Sequence, residues 1–317
     1  MKRMVKTVAV FMMAMMVLIS FSACKAIETK EASEKTEQAK TEQAKTESTK
    51  TKSAKTESAK TESAKTAETF QPEKIIQGEE QLLKKDTTIL VAAAASLNNV
   101  FDERLIPMFE AANPGIHVQG TYDSSGKLQT QIEEGLEADV FLSASMKQMD
   151  ALRDENLIDA DTVVELLENK IVLITAADND SHISAFEDVV AGDIIAIGDP
   201  ESVPAGQYAK EALTALGLWE AVETKASLGT NVTEVLNWVA EGSADTGIVY
   251  ATDAAANGHV KIIAEAPKGT LSQPVRYPVG LVTASDEKEA AQKFVDFLQS
   301  SEAGAVFEDY GFTVNRK

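Results

Sequence analysis

The chain has 317 residues, 44% of them apolar and 25% charged, with a formal net charge of −20, three histidines and a single cysteine. That length and apolar content suit one or two packed domains and exclude a chain disordered throughout. The negative charge disfavours nucleic-acid partners at long range, and a lone thiol excludes an internal disulfide.

Lys2, Arg3 and Lys6 precede an uncharged, methionine-rich run from Val8 to Phe21. The run is too short for a membrane span and has the shape of an export signal. It closes on FSAC (21–24), which resembles the lipobox of bacterial lipoproteins, with Phe21 where Leu is more usual. The resemblance implies a leader over residues 1–24 and acylation of Cys24. The mature protein would then be tethered by lipid to the outer face of the cell membrane rather than spanning it.

Residues 25–84 are expected to be a linker. The five-residue units TEQAK, TESTK, TKSAK and TESAK contain no aromatic and almost nothing to bury. A flexible coil of that kind reaches about 40 Å over some fifty residues. Lys25 to Lys74 carries 11 Lys and 10 Glu and the leader carries three cations, which leaves 16 cationic and 40 acidic side chains in the body, a net charge of about −24. Any anion bound by such a body must be held by local donors.

From Thr87 on, strand and helix patterns alternate. TTILVAAAA (87–95) reads as a strand, and Leu97, Val100, Leu105 and Phe109 recur at helical spacing until Asn113-Pro114-Gly115 stops them. IHVQGTY reads as a second strand, SSGKLQTQIEEG as a helix closed by Gly135, and ADVFLSAS as a third strand. KIVLITAA (170–177) opens another sheet, with strands in DIIAIGD and ADTGIVY and helices in AGQYAKEALTALG and NVTEVLNWVAEG. VRYPVGLVTAS reads as a strand returning toward the first sheet, and two helices packed on each other follow it. The order predicts an α/β fold of two lobes with mainly parallel sheets flanked by helices. The boundaries drawn are 85–169 and 281–317 for the first lobe and 170–280 for the second. Ligands in such sheets collect at the carboxyl ends of strands, here in a cleft between lobes.

Four helix starts carry small or hydroxyl residues: Ser96, Ser124-Ser125-Gly126, Val203-Pro204-Ala205-Gly206 and Gly229-Thr230-Asn231-Val232. Unpaired N–H groups and the positive end of the helix dipole make each a possible anion site. Each is also an ordinary helix start, since Ser, Thr and Asn are common caps and Pro is at home in a first turn. Tyr250 by itself reads equally as a core residue. Catalysis finds no support: no GxSxG, P-loop, HExxH or CxxC occurs, and His117, His182 and His259 stand near no nucleophile in a known spacing. Asp139 and Asp199 read as braces of turns rather than an acid and base pair.

VAAAASLNN, SSGKLQTQIEEG, EADVFLSAS, GDPESVPAGQYAKEAL, NVTEVL, GIVYATDA, YPVGLV and YGF together resemble the molybdate-binding proteins of bacterial ABC transporters, which are type II periplasmic binding proteins. The resemblance covers nearly all of the body. It implies a non-enzymatic receptor without cofactor or bare metal cation. Its ligand would be molybdate or tungstate, gripped by Ser96, Ser125, Ala205, Val232 and Tyr250, and its partner an ABC permease, with the receptor itself a monomer. Ser145, often Asp in the family, and Gly126, often a third Ser, depart from the pattern.

Molybdate at neutral pH is deprotonated and accepts hydrogen bonds only, so a matching pocket needs donors alone: the three hydroxyls and the N–H groups of the helix starts. Sulfate is also an acceptor-only anion and stays open as an alternative ligand, as does another small oxyanion. A signalling or adhesive lipoprotein with a vestigial cleft is the alternative from a different class.

Overall fold

The computed structural model describes residues 86–179 and 182–315. The expected leader, Cys24 and the linker over 25–84 lie outside the described residues. β1 (Thr87–Ala94) buries most of its length, as a near-continuous apolar run must when both faces are covered. The chain then stays helical through a 3-10 turn (Ala95–Leu97), one α turn (Asn98–Val100), a π turn (Phe101–Leu105) and helix α1 (Ile106–Ala112). The π turn sits just ahead of Pro107, which has no N–H to continue the ladder. The Ile106 N–H reaches back to the Phe101 carbonyl instead.

β2 (Ile116–Asp123), α2 (Ser125–Glu133), β3 (Val140–Leu142), α3 (Met146–Asp154) and β4 (Val164–Asn169) complete the first pass. After Lys170 the second sheet begins with β5 (Ile171–Ala176) and β6 (Ile195–Gly198). It continues through α4 (Pro204–Ala215), α5 (Trp219–Glu223), β7 (Ala226–Gly229), α6 (Val232–Ala240), β8 (Thr246–Tyr250), α7 (Ala251–Ala255) and β9 (Val260–Glu265). The chain returns as β10 (Val275–Leu281) and ends with α8 (Lys288–Leu298), α9 (Ser301–Asp309) and β11 (Thr313–Val314).

The two sheets run β11-β4-β10-β3-β1-β2 and β7-β6-β8-β5-β9. Each is mixed around a parallel core: β1 pairs in parallel with β2 and β3, and β6 with β7 and β8. Antiparallel pairs are made where strands carry the chain between lobes, by β10 with β3 and β4 and by β5 with β8 and β9. The return to the first lobe falls earlier than the boundary drawn at 281. All of β10 is inserted between β3 and β4, with Val279 opposite Leu142 and Val275 opposite Asn169, so the second lobe ends before Val275. Sheet membership is set by which strand satisfies the backbone groups of its neighbours, and the apolar pattern of VRYPVGL is the same in either sheet.

The C-terminal helices come home because they complete the aromatic core of the first lobe. Phe294 on α8 meets Phe109 edge-on at 5.0 Å between centroids, and Phe307 on α9 meets Phe101 at 6.2 Å. Among the described residues no helix is long and apolar enough to cross a membrane.

Candidate functional site

All five residues singled out stand at carboxyl ends of strands. Ser96 lies in the 3-10 turn that follows β1, Ser125 opens α2 after β2, Ala205 is the second residue of α4 after β6, Val232 opens α6 after β7, and Tyr250 ends β8. Ser125, Ala205, Val232 and Tyr250 are buried and Ser96 is half-buried. At α2 and α6 a side-chain cap takes one first-turn donor and leaves another to spare. In α2 the Lys127 N–H donates to the Ser124 hydroxyl at 3.4 Å and the Gly126 N–H to the Ser202 carbonyl at 3.0 Å. The first-turn donor these bonds do not consume is that of Ser125.

In α6 the Asn231 side chain accepts from the Glu234 N–H at 3.0 Å while Glu234 reaches back to the Thr230 N–H at 2.6 Å. That reciprocal cap leaves the Val232 N–H for another acceptor. In α4 the first residue is Pro204, without an N–H, so the donors begin at Ala205. Gly206 lets this helix start close against β6: a Cβ there would strike the Gly198 carbonyl oxygen.

The first lobe and the second meet around these positions. The Ala144 peptide joins two of the five, since its N–H donates to Ser125 Oγ at 3.0 Å and its carbonyl accepts from the Tyr250 hydroxyl at 3.5 Å. Asn231 Nδ2 donates to Asp123 Oδ1 at 3.3 Å, Gln148 Nε2 to Gln207 Oε1 at 3.2 Å, and α6 lies against the turn that holds Ser96. Ala205 follows the Ser202 loop that receives the Gly126 N–H. The geometry therefore gathers all five; Cys24 lies outside the described residues.

Electrostatically the site is built of donors. Asp123, next to Ser124-Ser125, has its carboxylate occupied by the Ser124 N–H, by Lys127 Nζ at 3.2 Å and by Asn231. Burial, and the neighbouring Tyr277, Tyr208 and Asp253, hold the Tyr250 phenol well above its ordinary pKa. It stays a hydroxyl donor and never a phenolate facing an anion. Asp139 and Asp199 brace turns, as expected: Asp139 accepts from the Leu90 N–H and the Ser285 hydroxyl, and Asp199 from the Glu201 N–H. Among the described residues no group of His, Cys, Asp and Glu could hold a metal ion. Pattern reading missed Ala144, Asn169 and Tyr277, which support the five without being helix starts; only Tyr277 left a trace, inside YPVGLV.

Residues 89–313 match the model of the bacterial extracellular solute-binding protein family. YvgL of Bacillus subtilis, named as an ABC transporter substrate-binding lipoprotein, is 41% identical over 230 residues, covering 73% of this chain and 88% of that protein. The molybdate-binding protein ModA of Escherichia coli is 36% identical over 238 residues, covering 73% of this chain and 91% of that protein. Among solved structures, the substrate-binding domain of a molybdenum ABC transporter from Clostridium difficile superposes with a TM-score of 0.57 at 37% identity, over 73% of this chain and all of that one. With two α/β lobes meeting around these helix starts and a family match that spans both, this chain belongs to the bacterial extracellular solute-binding proteins, whose work is to bind a solute and not to transform it.

Proposed function

We propose that this protein is the extracytoplasmic receptor of an ABC importer and captures molybdate, and tungstate as a near-isostere, between its lobes. Ser96, Ser125 and Tyr250 donate hydroxyl hydrogens, and the N–H groups of Ser96, Ser125, Ala205 and Val232 complete the grip. The observation that supports this reading is the chemistry of the groups brought together: three hydroxyls and the first-turn N–H groups of the helix starts lie where the lobes meet, while the adjacent carboxylate of Asp123 is already occupied. Bonds to a charged group contribute about 1.5 to 3 kcal/mol each, so several together hold an oxyanion tightly without Lys or Arg. The ligand touches both lobes and so stabilises the closed arrangement, which a permease can recognise. Acylation of Cys24 keeps the receptor, a monomer, at the membrane surface.

The test is a thermal-shift and calorimetric series with molybdate, tungstate, sulfate and phosphate. Molybdate and tungstate should each raise the Tm, since ligand at 100 times its Kd stabilises by about 2.7 kcal/mol. Ser96→Ala and Tyr250→Phe should each weaken molybdate binding by about tenfold or more. Stabilisation by sulfate without molybdate would replace the ligand, and unchanged affinity in both variants would remove the site.

A further inference from the structure

Tyr277 lies on β10, the strand by which the chain returns to the first sheet, and is fully buried. Its hydroxyl sits 2.9 Å from Ser96 Oγ and 3.3 Å from Asn169 Nδ2. Its ring meets that of Tyr250 edge-on at 5.6 Å. One tyrosine thus touches a hydroxyl of the first lobe and an aromatic ring of the second. Asn169 ends β4, at the other crossing between lobes.

The direction of these bonds follows from Asn169. Its Oδ1 accepts from the Lys170 N–H at 2.8 Å, which assigns the other terminal atom as the NH2 group. That group donates to Thr252 Oγ1 at 2.9 Å and to the Tyr277 oxygen. Asn169 supplies a proton to the Tyr277 oxygen, the phenol is buried, and among the hydrogen bonds of the described residues Ser96 Oγ is the acceptor for its own single proton. A serine hydroxyl that accepts from Tyr277 must turn its own hydrogen elsewhere.

We propose that Asn169 and Tyr277 are positioning residues that set the hydrogen-bond polarity of the site: Asn169 donates to Tyr277, Tyr277 donates to Ser96 Oγ, and the Ser96 proton is thereby directed at the bound oxyanion. The inference rests on the reading of Ser96 as a ligand. Ser125 is treated the same way by a different donor, since the Ala144 N–H occupies a lone pair of its Oγ and frees its hydrogen. Each serine thus has one of its two lone pairs taken and its hydrogen turned to the cleft, so it meets the ligand as a donor. An anion that still carries a proton, such as hydrogenphosphate, meets hydroxyls already turned to donate, so the relay disfavours it by protonation state as well as by size.

The experiment is a double-mutant cycle on the purified protein, with sodium molybdate and inorganic phosphate as calorimetric probes. Tyr277→Phe keeps the ring and removes the relay. It should weaken molybdate binding about tenfold and narrow the preference for molybdate over phosphate, because Ser96 can then present a lone pair. In a Ser96→Ala background the same change should cause no further loss. Equal losses in both backgrounds would make Tyr277 merely structural and overturn the relay. So would a full-strength Tyr277→Phe alongside a weakened Ser96→Ala, which leaves the site reading intact. Undiminished affinity in Ser96→Ala alone would instead remove the site reading on which the relay depends.

Discussion

At the scale of single residues the site is set by the direction of hydrogen bonds more than by charge. Lys127 is paired with Asp123 at 3.2 Å, and the hydroxyls are oriented by backbone and amide donors. One ionisable group does sit beneath the site. Asp253, in α7 just beyond Tyr250, is buried with its Oδ2 lacking a hydrogen-bond partner among the described residues, and burial pushes its carboxyl up to about 7. The folded protein then keeps a proton that the unfolded chain, with an ordinary carboxyl, releases near pH 4. Stability from this group is complete below that value and is lost as pH rises toward 7, by about 4 kcal/mol at most. Chemical denaturation of the wild type and Asp253→Asn at pH 4, 6 and 8 measures it: the wild type should lose stability relative to the variant across that range, and parallel curves would refute the shifted carboxyl. Asp253 was invisible as a titrating group in the sequence, because GIVYATDA shows an acid in a helix and says nothing of how deep that helix lies.

At the scale of elements, what matters is how closely one helix start approaches the opposite lobe. Gly126 is the second residue of α2, and a Cβ at that position would collide with the Ser202 carbonyl oxygen across the cleft. The departure from the three-serine turn of the related molybdate-binding proteins therefore has a physical counterpart, the Gly126 N–H bond to Ser202 at 3.0 Å. Gly126→Ala should lower the Tm, since the three atoms nearest the added methyl are backbone atoms of Ser202, which cannot yield as a flexible side chain does. It should weaken molybdate binding at least tenfold by holding the lobes apart. A variant that binds as well as the wild type would show that this contact is dispensable for closure. The helix starts themselves were legible from Ser, Pro, Asn and Gly at the right places. The short β7, β9 and β11 were not, because two to six residues with partial burial carry too weak a period to read.

At the scale of the whole molecule, the proposed reading has a body with a net charge of about −24 bind an anion, so attraction at long range plays no part and the ligand must be desolvated into fixed donors. On the same reading, attachment rests on the proposed acylation of Cys24. Cys24 follows an export-type run, and acyl chains contribute about 0.8 kcal/mol per buried methylene to membrane binding. Growth with labelled palmitate should mark the wild-type protein and leave Cys24→Ser unlabelled; equal labelling of the two, or none in the wild type, would rule out acylation at Cys24.

The alternation of strands and helices and the placing of the five residues at helix starts and a strand end are legible in the amino-acid sequence, because these depend on local period and caps; the expected leader and linker lie outside the described residues. What the tertiary structure adds is that β10 enters between β3 and β4, that the Ala144 peptide serves both Ser125 and Tyr250, and that Tyr277 stands between Ser96 and Asn169. Those facts join residues about 20 to 180 positions apart in the chain, and no local pattern encodes which distant donor fills a given lone pair. The sequence names the groups that can give a hydrogen bond; the fold determines in which direction each one is given.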